Sequence, residues 1–402
     1  MTEKNAKPQL RFAGFDDTWE QRELWELTIW DKKFNEVEAE KQPKIVKYPY
    51  VLADVFSKIE DASGDVRLLS TGNYIGYTTD EKAGKNLCVG EVVAIPWGGV
   101  PNIKYYKGKF VTADNRIATS NDTETLGNRF LSLYLEHSLA FLQSIYRGAS
   151  IKHPSMNDVL SMQISIPHIQ EQREIETWFA NLDNLITLHQ RKYDKLTNVK
   201  KSMLEKMFPK NGSNVPEIRF KGFSDAWEQR KFEDIAVRSS SISSESGLPR
   251  VEYEDIISGT GRLNKDIFAK ESDKTGIVFH KGDVLYGKLR PYLQNWLLPS
   301  FNGLAVGDFW VLQPQNADSS FLYRLIQSRQ FDEVANQSTG TKMPRSDWKL
   351  VSKTEFFIPS AIGEQAAIGA YFEQLDNLIT LHQRELEKLK NLKKACLEKM
   401  FV

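Results

Sequence analysis

Two long stretches of the chain carry apolar residues at alternating steps of four and three positions. The first begins near Glu171 and contains neither proline nor glycine up to Met207. It therefore predicts one unbroken helix of roughly 55 Å, at about 1.5 Å per residue. The 3.5-residue repeat is typical of a coiled coil. The predicted helix seam contains Ile175, Phe179, Leu182, Ile186, His189 and Leu196 in the first stretch, and Ile368, Phe372, Leu375, Ile379, His382 and Leu389 in the second.

These two helices are expected to pair with each other in an antiparallel coiled coil. Such a pairing places the two seam histidines near its local two-fold axis, with their rings within about 10 Å of each other. A polar pair in a seam fixes helix register, whereas two histidines alone are too few ligands for a metal site. Further leucines widen the apolar stripe, which indicates an additional partner for the helices. These leucines are Leu185, Leu188, Leu378 and Leu381.

The helical stretches belong to a larger duplication. Residues 182–191, LDNLITLHQR, recur unchanged at 375–384, about 193 residues later. Residues 8–15, PQLRFAGF, resemble residues 216–223, PEIRFKGF, and WEQR follows both. Because solenoid repeats span only about 20–50 residues, this long period indicates a duplicated domain. We predict variable domains at 1–165 and 211–357, each followed by a near-constant helical segment at 166–210 and 358–402.

The variable domains combine strand-like and helix-like segments, so the predicted fold class is α+β. In the first domain, apolar runs bounded by turn residues predict strands over 86–96 and 110–117, and an amphipathic pattern predicts a helix over 126–144. In the second domain, the corresponding patterns predict strands over 276–286 and 310–313 and a helix over 319–336. The interiors of the two domains share few residues, which suits the recognition of two different targets with one geometry.

Each variable domain has two loops whose residues suit contact with DNA. Lysine and arginine neutralise phosphates or bind guanine edges, serine and threonine serve either purpose, and glycine permits close backbone approach. Solvated turns often have the same composition, but the loops occupy matched positions in two divergent domains. The candidates are Trp97, Asn102, Lys104, Tyr105, Ser150, Lys152 and His153 in the first domain, and Lys288, Arg290, Tyr292, Thr341, Lys342 and Arg345 in the second.

Composition narrows the class of protein. The 402 residues include 53 basic and 53 acidic side chains and are 41% hydrophobic, so the chain can form cores and does not hold DNA by net charge alone. No apolar run approaches the roughly 18–20 residues of a transmembrane helix, and the first residues do not resemble a signal peptide. Cys88 and Cys396 cannot form a disulfide framework. These features predict a reduced, cytoplasmic protein with no membrane partner.

Motifs of nucleotide-binding and hydrolytic enzymes are missing from the sequence. It contains no Walker-type loop, no Gly-x-Ser-x-Gly and no His-Glu-x-x-His, and Gly259-Thr260-Gly261 lacks the third glycine of a dinucleotide fingerprint. It also lacks the Asn/Asp-Pro-Pro-aromatic motif of an adenine methylase. We therefore expect no catalytic residues, no metal site and no cofactor in this chain.

The repeated motifs resemble those of a known family. Both copies have Arg-Phe-x-Gly-Phe followed by Trp-Glu-Gln-Arg, then Ile-Pro, Glu-Gln, Leu-Asp-x-Leu-Ile and a closing Leu-x-Lys-Met-Phe. This order is similar to that of the specificity (S, HsdS) subunits of type I restriction–modification systems and extends over nearly the whole chain. The resemblance implies two target-recognition domains that each read one half of a bipartite, asymmetric sequence of double-stranded DNA.

The resemblance also implies the partners. The helices would set the unread spacer and dock two methyltransferase subunits, which carry S-adenosylmethionine and methylate adenine in DNA. Two restriction or motor subunits that use ATP and Mg²⁺ can also join such a complex.

The alternative to a DNA-binding specificity subunit is a non-catalytic coiled-coil adaptor that recruits two protein partners. A stand-alone restriction or methylation enzyme is disfavoured by the missing motifs.

Overall fold

A computed structural model of the chain describes residues 7–210, 213–269, 272–337 and 342–402. The chain divides into two compact units. The first unit contains Met1–Leu188 and Leu386–Val402, and the second contains His189–Glu385. Each long helix therefore contributes residues to both units, a division that differs from the four consecutive segments predicted from the sequence.

The helical prediction is confirmed. The first long helix spans Ile169–Lys206 and the second spans Ile362–Met400. In the second unit, Lys200 Nζ lies 2.6 Å from Asp376 Oδ1, and the Nδ1 atoms of His189 and His382 are 3.1 Å apart. The residue numbers of the contacting partners rise along one helix and fall along the other, so the helices run antiparallel.

The histidine prediction is confirmed by the same contact, since the two ring centroids are 5.1 Å apart. Antiparallel pairing also holds in the first unit. There Lys393 Nζ lies 3.0 Å from Asp183 Oδ1, and the Phe179 and Phe401 rings are 6.1 Å apart.

Seam residues near the start of each long helix pack into the adjoining domain. Ile175, Phe179 and Leu182 are buried in the core of the first unit, and Ile368, Phe372 and Leu375 are buried in that of the second. The other predicted seam residues, Ile186, His189, Leu196, Ile379, His382 and Leu389, are half-buried. The predicted seam residues therefore pack against the adjoining domains as well as against the other long helix.

A six-stranded sheet forms the centre of the first unit. Its strands, in spatial order, are Thr28–Trp30, Asn115–Ser120, Cys88–Pro96, Lys104–Thr112, Val66–Leu69 and Ile75–Thr78. Small two-stranded sheets pair Glu20–Glu23 with Gln163–Ile166 and Tyr146–Arg147 with His153–Pro154. The α-helices before the first long helix are Leu24–Leu27, Ala53–Ile59, Asp80–Ala83, Asn128–His137, Leu139–Ile145 and Met156–Leu160, and short 3-10 helices span Ala39–Lys41 and Gly84–Asn86.

Two four-stranded sheets form the second unit. One contains Ala236–Arg238, Phe309–Pro314, Val284–Gly287 and Trp296–Leu297, and the other contains Ile242–Ser243, Gly276–Phe279, Gly303–Ala305 and Arg250–Val251. Two-stranded sheets pair Ile256–Ile257 with Arg262–Leu263 and Glu228–Lys231 with Glu355–Ile358. The α-helices before the second long helix are Phe232–Ile235, Ser319–Leu325, Arg329–Ala335 and Trp348–Lys353, and short 3-10 helices span Tyr253–Asp255 and Pro291–Leu293. The α+β prediction is confirmed.

Four predicted elements are interrupted in the structure. The strand predicted over 276–286 is two strands, because a turn at Gly282 with φ +94° separates them. The helix predicted over 319–336 is two helices, since Ser328 caps the second by accepting a hydrogen bond from Phe331 N. The strand predicted over 110–117 and the helix predicted over 126–144 are likewise divided, at residues 113–114 and at Ser138.

Candidate nucleic-acid interface

The opening motif joins each variable domain to its long helix. In the first unit, Arg11 forms a bidentate ion pair with Glu171, with both N–O distances 2.7 Å. In the second unit, Arg219 binds Glu364 in the same way at 2.6 and 2.7 Å. Both carboxylates are 1% exposed. We call these two ion pairs the clasps.

A second ion-pair cluster recurs in each unit and orients the domain on the helices. Asp183 is bound by Arg129 of the first domain and by Lys393 of the second long helix. Asp376 is bound by Arg324 of the second domain and by Lys200 of the first long helix. We call these clusters the aspartate nodes. Both aspartates belong to the repeated LDNLITLHQR motif, and their recurrence in both copies was the available sequence signal of a structural role.

The two candidate loops of the first domain contact each other. The first loop follows strand Cys88–Pro96, and Gly99 N donates a 2.9 Å hydrogen bond to Lys152 O in the second loop. His153 Nδ1 donates to Trp97 O at 2.6 Å, and the two rings lie 5.2 Å apart. Gly98 allows this approach, because a Cβ there would lie 2.9 Å from Ile151 Cγ2. The structure therefore brings together two loops whose contacting residues Trp97 and His153 are 56 positions apart in the sequence.

Aromatic stacking fixes this tip. The half-buried Trp97 ring stacks on Phe34 at 6.2 Å, and the Arg116 guanidinium lies 4.0 Å from its centroid. The Trp97 side chain therefore packs against Phe34 and Arg116 and holds the loop in place. Ser150 and Lys152 are exposed on the second loop.

Of the remaining candidates of the first domain, Asn102 precedes strand Lys104–Thr112, and Lys104 and Tyr105 lie on opposite faces of that strand. Asn102 Nδ2 donates to Asn73 Oδ1 at 2.7 Å and Lys104 Nζ donates to Thr71 O at 3.3 Å, beside a shallow cavity of about 390 Å³ lined by residues 71–73 and 98–102. Burial, with a smaller contribution from a neighbouring arginine, lowers the pKa of Lys104 to about 8. Tyr105 points to the opposite face, where its hydroxyl donates to Glu91 Oε1 at 2.9 Å.

The candidate loops of the second domain also meet. The first follows strand Val284–Gly287, and its Arg290 N donates to Pro344 O at 2.7 Å. Ser346 N donates to Lys288 O at 2.9 Å in return. Thr341 lies outside the described residues. Lys342 and Arg345 are exposed, and Tyr292 is 58% exposed.

One carboxylate organises the charges of this second tip. Asp308 lies 3.4 Å from Lys288 Nζ and 3.0 Å from Arg345 Nη2. Burial acts to raise the pKa of Asp308, but the Arg345 hydrogen bond and the Lys288 charge outweigh it and lower that pKa below its usual value. Lys288 and Arg345 are therefore held in place by an ionised partner.

The described residues contain no cluster of three or more His, Cys, Asp or Glu side chains that could hold a metal ion. Within the same described ranges, no helix is long and apolar enough to cross a membrane.

Comparison with known proteins agrees with the duplicated architecture. A family model described as the type I restriction modification DNA specificity domain matches residues 17–198 and again residues 224–391. The chain belongs to this family. It is similar to the MjaVIII specificity subunit of Methanocaldococcus jannaschii, at 24% identity over 298 residues, 65% of this chain and 67% of the relative. It is also similar to the EcoDI specificity subunit of Escherichia coli, at 23% identity over 344 residues and 77% of both chains.

A solved structure of this family shares the fold. The type I restriction–modification S subunit from M. genitalium matches 98% of this chain and 99% of its own length, with 15% identity and a TM-score of 0.63. The family of type I specificity subunits predicted from the repeated motifs is thus confirmed.

Proposed function

We propose that each unit reads one half of a bipartite, asymmetric sequence in double-stranded DNA through the tip formed by its two meeting loops. One observation carries this proposal: two units with matching clasps and aspartate nodes present chemically different tips. Each correctly read base pair contributes about 1–3 kcal/mol of discrimination, so two readers on one chain multiply their selectivities. The basic residues of the tips supply the contacts that a chain of zero net charge needs.

The long helices set the spacer between the half-sites in this proposal. Helices of 38 and 39 residues without an interruption are roughly 57 Å long at 1.5 Å per residue. A rigid connection avoids the entropy that a flexible linker would lose on binding. Spacer length should therefore follow helix length.

The helices also dock two methyltransferase subunits. In the first unit Leu185 and Leu188 are 44% and 46% exposed, and in the second Leu378 and Leu381 are 44% and 51% exposed. Exposed apolar residues at matching helical positions suit the burial of a partner helix. These subunits would carry S-adenosylmethionine and methylate adenine, and motor subunits with ATP and Mg²⁺ can join them. The present chain supplies no catalytic group and works in the cytoplasm.

The experiment combines the full chain, its methyltransferase subunits and a pool of random DNA. We expect methylated molecules to share two half-sites with a fixed spacer. Enrichment of no bipartite motif would favour the protein adaptor instead.

A matched deletion tests the role of the helices. Removing one heptad from each long helix at equivalent positions shortens both by about 10 Å, or about three base pairs at 3.4 Å each. We expect a shorter spacer with both half-sites unchanged. An assembled variant whose spacer kept its original length would contradict this role of the helices.

A further inference from the structure

Arg290 differs from the other cations of the second tip. Lys288 and Arg345 are both ion-paired to Asp308. The Arg290 guanidinium, by contrast, has no hydrogen bond or ion pair with any residue in the part of the chain that the structure describes, and the residue is exposed. Its fork of donors is available to a ligand.

The backbone at Arg290 is held in an unfavourable conformation. Its φ of +49° and ψ of 63° lie in the left-handed region, which costs a residue with a Cβ roughly 1–2 kcal/mol. Two hydrogen bonds hold it there. Arg290 N donates to Pro344 O at 2.7 Å, Leu293 N donates to Arg290 O at 2.8 Å, and Pro291 follows directly. Strain maintained in this way is typical of functional sites, where it aims a side chain in advance.

We propose that Arg290 reads a guanine in the half-site bound by the second unit, through paired hydrogen bonds to O6 and N7. The inference rests on the proposed function and assigns to that site a base and a residue. Arginine presents two parallel donors that match these acceptors in the major groove, the commonest base-specific contact in protein–DNA complexes. Lys288 and Arg345 are tethered by Asp308 and act as positioning and phosphate-binding groups.

The test compares the motifs selected from random DNA by complexes with wild-type chain and with Arg290→Ala. Wild-type chain should select a guanine at one position of the second half-site. The variant should lose about 5- to 150-fold of the preference for that G·C pair, because a bidentate contact contributes about 1–3 kcal/mol of discrimination. All other positions and the whole first half-site should stay the same.

Two further variants separate reading from folding and from charge. Arg290→Gly relieves the positive φ and should lose the same base preference, which excludes loop collapse as the cause. Arg329→Ala removes an exposed arginine that pairs with Glu333 in the same unit and should change nothing. If Arg290 reads a base, Arg290→Ala should mainly change the sequence selectivity of binding and should change its salt dependence less.

Two outcomes would overturn the inference. The first is an unchanged second half-site in Arg290→Ala. The second is equal weakening on all sequences with a salt slope reduced by about one, which would make Arg290 a phosphate contact. Failure of wild-type chain to select any bipartite motif would instead remove the proposed function, and this inference with it.

Discussion

The two units share a frame and differ at their tips. Each has a bidentate clasp at the start of its long helix, an aspartate node between domain and helices, and a strand that pairs the opening motif with the end of the domain. The first tip is closed by stacked aromatic rings around Trp97, whereas the second is organised by Asp308 and two cations. The comparison shows that contacts which hold a domain on the helices recur, while contacts that face a ligand are free to differ.

The clasps provide the largest expected effect. Arg11→Ala and Arg219→Ala each leave a buried carboxylate without its arginine, so each should lower the unfolding free energy by about 3–5 kcal/mol. The loss for Arg219→Ala should be the smaller of the two, because Glu364 keeps a 3.3 Å hydrogen bond from Trp227 Nε1. Urea denaturation of the full chain measures both. The double variant Arg219→Met/Glu364→Leu should lose much less, because it removes the buried charge as well. A smaller loss for Arg11→Ala than for Arg219→Ala would contradict this account.

The closing phenylalanines should show a graded difference. Phe401 packs against five aromatic rings in the first unit, including Trp19 and Phe130, whereas Phe208 packs against the rings of Trp227 and Phe321 in the second. We expect Phe401→Ala to cost about 4 kcal/mol and Phe208→Ala about 3 kcal/mol. Thermal unfolding checks the order, and a larger loss for Phe208→Ala would contradict it. The exposed Phe141 is the control, because Phe141→Ala removes little buried area.

Substitutions at the aspartate nodes should have intermediate effects. Both carboxylates are partly exposed, but Arg324 is 5% exposed and Arg129 is 19% exposed. Asp376→Asn should therefore cost about 2 kcal/mol and Asp183→Asn about 1 kcal/mol, since the more buried arginine suffers more from losing its partner. Chemical denaturation of the two variants side by side provides the measurement, and equal costs would argue against burial as the deciding factor.

The histidine pair should produce the smallest effect. Burial, followed by the neighbouring His189 and Lys192, lowers the pKa of His382 from 6.5. At His382 the unfolded state then binds more protons than the folded state below about pH 6.5, so the contribution of this histidine to stability should fall as the pH drops through 6.5 toward its folded-state pKa. His382→Gln should flatten the pH dependence in this window, and His189→Gln should reduce it. Unfolding midpoints between pH 5 and 7.5 that fall equally in all three proteins would contradict this assignment.

Sequence patterns predicted the regular parts of the molecule well. The long helices, the antiparallel pairing and the histidine contact follow from a periodicity that continues for many turns, so the signal accumulates along each helix. The strand predicted over 110–117 was wrong at its centre because the chain turns at residues 113–114. Short apolar runs on both sides of a turn have the same local pattern as one strand.

The candidate site was predicted as pairs of loops, and the structure shows that each pair is joined. Composition could not distinguish the roles within a loop. Trp97 supports the tip and Tyr105 faces the opposite side of the sheet, whereas the Arg290 guanidinium has no partner among the residues that the structure describes. The sequence had offered all three equally as candidates. Such differences depend on neighbours that are distant in sequence, as Asp308 is from Lys288.

The sequence by itself determined the duplication, the two long helices and the family, because these depend on repeated local patterns and motif order. Only the tertiary structure decided what the repeated residues contact. Arg11 binds Glu171 across 160 positions, and Phe401 fills the core of the first unit although it lies at the end of the second copy. A core and an ion pair select partners by proximity in space, and an antiparallel helix pair brings the end of one repeat to the domain of the other.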